Sequence, residues 1–389
     1  MASKLSWRDA WLLPLISLST VLCMLVLAEV GARTFWPARE QNSCVVHDHS
    51  ILSFHYKPNC ISRMKAAEGP WYTNTYNECG YRSSASCAPV APGVRRIALI
   101  GASISEGYFV EYPHTVGAKL SDDLTAMCHA PVEVQNLAAK GYIGRRVVAR
   151  MAEALRLHPQ AVVYLHTPYE VELQLDNPEL SVPDDSRPAA APPPAPAAKP
   201  KSAGGEGLRQ RVSDIMRESR AVTVAQHFMF RDPSFYLPVY LTFGDKADFL
   251  RPPFTPPWRE RLSRFERLIA ALSAQAHAAN TPLILVFVPH QAEVQMEASG
   301  YRSKGVDPQA LSRAIEAIAQ RHGATFMDSS TALEKQPDPA DLFYRVDGHP
   351  SGKGQPVIAR YIAEQIAGMG GGPFADCRVP PAPSQLARR

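Results

Sequence analysis

Between Arg95 and Gly368, short apolar runs alternate with amphipathic stretches, and this alternation restricts the fold more than any other feature of the chain. The runs are 97–100, 132–137, 161–165, 283–288 and 324–327. Most are rich in β-branched residues and close at polar or glycine positions, the pattern of strands buried on both faces. Helical periodicity fills roughly 114–127, 144–157, 258–279, 308–321 and 352–368. Strand alternating with helix predicts an α/β fold: a three-layer α/β/α sandwich around a roughly five-stranded parallel sheet, flavodoxin-like in type. Sites in such folds form beyond the carboxyl ends of the strands. Ser103, Gly141, Thr167 and His290 each fall just past a predicted strand end, so they are expected to converge.

A chain of 389 residues has room for one full core and an inserted segment. Residues 10–28 carry no charge and lie between Asp9 and Glu29. A bilayer span needs roughly 17–25 apolar residues, so this stretch is long enough for a transmembrane helix. A cleaved signal peptide is the other reading, but its apolar region runs to about 7–15 residues. No clean small-x-small site precedes Thr34, which favours an uncleaved anchor. Lys4 and Arg8 on one side face Arg33 and Arg39 on the other, so positive charge does not orient the helix.

Cys23 lies inside the apolar run, and Cys44, Cys60, Cys79, Cys87, Cys128 and Cys377 lie outside it. An even number outside the run suits an oxidising compartment, although sequence does not choose the pairing. The expected location is therefore the cytoplasmic membrane, single-pass, with the folded part on the extracytoplasmic, periplasmic side. The net charge of +4 is mild and no Lys/Arg run interleaves with aromatics, so nucleic acid is not an expected partner. Twelve histidines show no i, i+4 pairing with a Glu on a helix, and no metal or other cofactor is expected.

The expected organisation is a short tail (1–9), the anchor or signal segment (10–31) and a Cys-containing irregular lead-in (32–94). The α/β domain follows in two parts (95–180 and 258–370), then a C-terminal tail (371–389). The insertion 181–257 separates the two parts. Its first stretch, 181–206, is a Pro/Ala-rich linker that cannot pack a core. Its second, 207–257, is aromatic-rich and reads as a lid, a membrane-facing surface or a peripheral helical hairpin.

Three segments carry candidate chemistry. Gly101-Ala102-Ser103 puts a serine on a strand-to-helix turn, where backbone N–H groups point at a reacting oxygen. A serine hydroxyl needs a base within hydrogen-bond reach before it attacks anything. Asn136 to Gly141 ends a strand in a glycine that permits close backbone approach, making the Gly141 N–H a second oxyanion donor. Asp347-Gly348-His349-Pro350 places a histidine in a Gly/Pro-punctuated loop, with Asp347 as its nearest orienting carboxylate.

In this order the segments resemble the SGNH hydrolase family, the GDSL-type esterases, over about residues 76–367 without the insertion. The resemblance implies Ser103 as nucleophile, His349 as base, Asp347 as its orienter, and the Ser103 and Gly141 N–H groups as oxyanion donors. The lead-in from Thr73 to Arg82, and a helix ending in Glu29 and Arg33, are similar to membrane-anchored members. Those members are extracytoplasmic, and their substrates are often esters or acyl groups on envelope glycans. Three features depart from the family. Gly-Asp-Ser reads Gly-Ala-Ser, and Asp-x-x-His is shortened to Asp-x-His, as in relatives that include alginate-acetylation proteins. The Gly-x-Asn-Asp block is replaced by Leu165-His166-Thr167-Pro168-Tyr169-Glu170. Either the Thr167 hydroxyl, His166 or Tyr169 stands for the asparagine donor, which is worth roughly 10²–10³ in rate, or the third donor is absent.

The expectation is a serine esterase or O-acyltransferase acting on an acylated small molecule or glycan. The alternative is a catalytically degenerate relative that binds a glycan or scaffolds an envelope assembly. Water or sugar as acyl acceptor, the substrate, and the oligomeric state are not legible in the sequence.

Overall fold

The computed structural model describes residues 7–184 and 218–379, with side chains from Trp11 onward. Most of the Pro/Ala-rich linker (185–206), residues 207–217 and the end of the tail (380–389) lie outside the described residues.

The lead-in holds four short strands: β1 (Val45–His47), β2 (Phe54–Tyr56), β3 (Ile61–Lys65) and β4 (Trp71–Thr75). β1 pairs antiparallel with β2, and β3 with β4. This segment is therefore less irregular than its sequence suggests. Its strands are only three to five residues long, too short to register as a period. Disulfides Cys44–Cys60 and Cys79–Cys87 staple it, and Cys128–Cys377 joins a core helix to the C-terminal segment.

The central sheet is built from β5 (Arg95–Gly101), β6 (Val132–Asn136), β7 (Ala161–His166), β8 (Leu283–Phe287) and β9 (Thr325–Asp328). All neighbours run parallel, in the order β6-β5-β7-β8-β9. This is the doubly wound, flavodoxin-like order, and its switch point lies between β5 and β7. The apolar runs are continuous because both faces are buried. Ile97 and Leu99 face the helices Val116–Cys128 and Gly354–Gly368. Ala98 and Ile100 face Arg145–Arg156, Pro256–Ala278 and Ala310–Arg321.

Residues 220–250 form helices Arg220–Met229 and Pro233–Tyr240 and a 3₁₀ stretch, Gly244–Leu250. Leu237, Phe249 and Leu250 are buried in the same core as β7 and β8, so this part of the insertion is packed onto the domain. The N-terminal helix, Trp7–Phe35, contains a 25-residue stretch apolar enough to cross a membrane. At about 1.5 Å per residue it reaches beyond the roughly 30 Å hydrocarbon core. Its far end is tied to the insertion. Glu29 accepts from Ser219 Oγ (2.8 Å), Arg220 N (3.1 Å) and Ala221 N (2.9 Å). Trp36 packs on His227 and Phe228. An apolar N-terminal helix together with three disulfides points to an extracytoplasmic location.

Candidate active site

Ser103 opens a one-turn helix, Ser103–Glu106, immediately after β5. Gly101 makes the turn possible. Its φ is +138°, and a Cβ there would lie 2.2 Å from Ser105 Oγ and 2.8 Å from the Leu165 carbonyl. As the first helical residue, Ser103 has an N–H with no intrahelical acceptor.

Ser103 Oγ lies 2.7 Å from His349 Nε2. On the other side of the ring, His349 Nδ1 meets the Asp347 carboxylate, which also accepts the His349 backbone N–H at 3.2 Å. Burial works to raise the pKa of Asp347, but the charge and hydrogen bonds of His349 outweigh it and hold the carboxyl below its ordinary value. The imidazole is wedged beside Tyr108 and Phe109, with ring centroids 5.6 and 5.9 Å away. The serine, histidine and aspartate of the sequence reading, 244 to 246 residues apart (347 − 103 and 349 − 103), are thus brought into one hydrogen-bonded line.

Gly141 borders the same cavity as Ser103 and His349. Its φ is +79° and the space where a Cβ would stand is open. Its N–H takes no acceptor among the described residues. The preceding peptide is held from below by a carboxyl group that sequence reasoning did not single out. Glu106 is buried, and its Oε2 accepts the Lys140 N–H at 2.8 Å. Its Oε1 accepts from the hydroxyls of Tyr56 (2.8 Å) and Tyr76 (3.3 Å), two stacked rings of the lead-in. Burial is the main influence on Glu106 and raises its pKa, against the opposing charge of Arg82. Arg82 in turn donates to the carbonyls of Glu106 (2.8 Å) and Gly107 (2.6 Å). The lead-in therefore braces both the serine turn and the Gly141 loop.

Thr167 lines the cavity, but both its hydroxyl and its N–H (2.8 Å) donate to Glu170. Burial raises the pKa of Glu170. While Glu170 is ionised, the Thr167 proton is engaged and is not offered to a substrate. His166 points to the other face of β7, as strand alternation requires. Its ring is fully buried among Tyr164, Phe265 and Phe287, where burial pushes its pKa down to about 3. Tyr169 stands half-exposed at the rim. His290 lines the cavity, with Nδ1 2.9 Å from the Tyr240 hydroxyl. Its pKa is pushed down to about 4, first by burial and then by the charge of His349.

The cavity measures about 610 Å³. Phe230, Tyr236, Tyr240 and Phe243 of the insertion form one wall, and Lys140 and Lys246 reach into it. Among the described residues, no cluster of three or more His, Cys, Asp or Glu could hold a metal ion.

Residues 249–376 match the family described as the SGNH hydrolase-like domain of acetyltransferase AlgX. The match covers about a third of the chain. The matched stretch contains Asp347 and His349 and ends after the last core helix; Ser103 and Gly141 lie outside it. Two solved structures are similar to this chain. A lipase/acylhydrolase from Enterococcus faecalis is 17% identical over 70% of this chain and 96% of its own, with a TM-score of 0.37. The psychrotrophic esterase EstA from Pseudoalteromonas sp. is 14% identical over 70% of this chain and 97% of its own, with a TM-score of 0.36. No curated protein sequence matches the chain significantly.

Proposed function

We propose that this protein is a serine esterase or O-acyltransferase of the SGNH type. The observation that carries the reading is the 2.7 Å contact between Ser103 Oγ and His349 Nε2, with Asp347 on the opposite ring nitrogen. Ser103 Oγ attacks the ester carbonyl carbon as His349 Nε2 takes its proton. The carbonyl oxygen becomes an oxyanion facing the N–H groups of Ser103 and Gly141. The tetrahedral intermediate collapses, the C–O bond to the alcohol breaks, and His349 returns the proton to the departing oxygen. A water or a sugar hydroxyl, deprotonated by His349, then attacks the acyl-serine and releases acid or a new ester. Asp347 stays ionised throughout, holding Nδ1–H.

The substrates we propose are ester or acyl groups of cell-envelope or secreted glycans. The size of the cavity and its aromatic wall of Phe230, Tyr236, Tyr240 and Phe243 support this. The helix Trp7–Phe35 is proposed as a single-pass anchor, residues 218–257 as a wall over the site, and the folded part as extracytoplasmic. A non-catalytic glycan binder is the second reading, favoured by the engagement of Thr167 with Glu170 where the family keeps an asparagine. Hydrolysis of p-nitrophenyl acetate separates the two. Catalysis predicts turnover lost in Ser103→Ala and His349→Ala and strongly reduced in Asp347→Asn. Equal rates in all four proteins would leave only the binder.

A further inference from the structure

We propose that Glu68 is a positioning residue for Asp347, acting through the backbone of the loop that carries it. The inference rests on the Ser103–His349–Asp347 reading above. Glu68 lies in the turn between β3 and β4, and its side chain is only 2% exposed. One oxygen, Oε2, accepts two successive N–H groups of the loop, Val346 and Asp347, at 2.9 Å each. The other, Oε1, sits 2.7 Å from His227 Nδ1. A single carboxyl group from the lead-in thereby joins the Asp347 loop to the helix Arg220–Met229.

The loop depends on such a clamp. Within it, Gly348 N donates to the Tyr344 carbonyl (2.6 Å) and Tyr344 N to the His349 carbonyl (2.9 Å), which closes the turn but does not fix it to the domain. Behind it lies a cavity of about 190 Å³ bordered by Glu68, Phe109, Tyr344, Val346 and Asp347, so close packing does not hold that side. The bond to the Asp347 N–H fixes the main-chain atom from which the carboxylate is aimed at His349 Nδ1. Two further ties hold the loop: Tyr344 Oη donates to the Phe109 carbonyl at 2.8 Å, and Arg345 donates to the His227 carbonyl at 3.3 Å and pairs with Asp341. His227 itself packs at a tilt against Trp36, at the end of the N-terminal helix. The orientation of Asp347 is thus coupled to how the insertion helix seats on the end of the apolar helix.

The test uses the full chain in detergent and follows p-nitrophenyl acetate kinetics with thermal unfolding. Four variants are compared: Glu68→Ala, Glu68→Gln, Glu68→Asp and Ser103→Ala. A misplacement of about 1 Å at a reacting group is worth ~10²-fold in rate, so Glu68→Ala should lower kcat by about that factor with KM little changed. Glu68→Gln keeps an oxygen for the two N–H groups, and its amide can donate to His227 Nδ1 once that ring moves its proton to Nε2, so it should restore most of kcat. Should Glu68→Ala fail to fold, Glu68→Asp, one methylene short of both N–H groups, should show the same fall in kcat at unchanged KM. Wild-type kcat in Glu68→Ala beside an inert Ser103→Ala would overturn the positioning role and leave the nucleophile intact. So would a Glu68→Gln protein as slow as Glu68→Ala. Turnover that survives Ser103→Ala would bring down the underlying reading, and this proposal with it.

Discussion

Glu106 offers a demanding test of how the site is held. Replacing it with alanine strips the acceptor from three donors: the hydroxyls of Tyr56 and Tyr76 and the Lys140 N–H. A buried donor left without a partner costs about 1–3 kcal/mol, so simple addition gives roughly 3–9 kcal/mol. The Asn42 amide donates to the Tyr76 oxygen (2.7 Å) and so does not replace the lost acceptor, but both hydroxyls can rotate toward other acceptors, and the lower half of that range, about 3–6 kcal/mol, is expected. Domains are stable by only about 5–15 kcal/mol, so the variant should unfold at a distinctly lower denaturant concentration. Its folded fraction should also be slow. Once the Lys140 peptide is released, Gly141 loses its fixed aim, and one oxyanion donor is worth ~10²–10³ in kcat. Glu106→Gln retains an acceptor for Lys140 and should lose about 1–2 kcal/mol and far less activity. Urea unfolding, paired with p-nitrophenyl acetate kinetics below the transition, reads both effects. A Glu106→Ala protein with native stability and native kcat would refute the reasoning.

Two further expectations follow, one from the site and one from Glu293, a buried residue outside the cavity lining whose Oε2 accepts the His290 N–H at 2.7 Å. Because the Thr167 hydroxyl is engaged with Glu170, Thr167→Val should keep kcat within about tenfold of wild type; a loss of ~10²–10³ would instead identify Thr167 as a third oxyanion donor. Burial raises Glu293 well above its ordinary value of 4.5, so the fold favours its protonated form, and the stability this provides is lost as pH rises above about 4.5. Glu293→Gln imitates the protonated form without titrating, so the melting temperature should fall less between pH 5 and pH 8 than in wild type; parallel curves would contradict this.

The sheet was legible because parallel strands buried on both faces leave continuous apolar runs, such as Ile97–Ile100 at the centre of β5. The convergence of Ser103, Gly141, Asp347 and His349 on one cavity was legible because these residues stand at strand ends and in glycine-punctuated loops, where local sequence marks the turn. The hairpins of the lead-in were not, since β3 alternates buried and exposed residues over only five positions, Ile61–Lys65. Glu106 and Glu68 were hidden for another reason. Both carboxyl groups grip backbone N–H groups, 34 residues away at Lys140 and 279 away at Asp347, and a main-chain partner leaves no mark in residue type. The position of His166 was recoverable. It shares a face of β7 with Tyr164 and so cannot face the site beside Thr167.

The central claim is that Ser103 is a nucleophile activated by His349. The most direct measurement is reaction of the full chain with a fluorophosphonate, followed by mass-spectrometric location of the adduct. One phosphonylated residue is expected, Ser103, with labelling abolished in Ser103→Ala and strongly slowed in His349→Ala. Wild-type protein that stays unlabelled, or labelling that persists unchanged in Ser103→Ala, would contradict it.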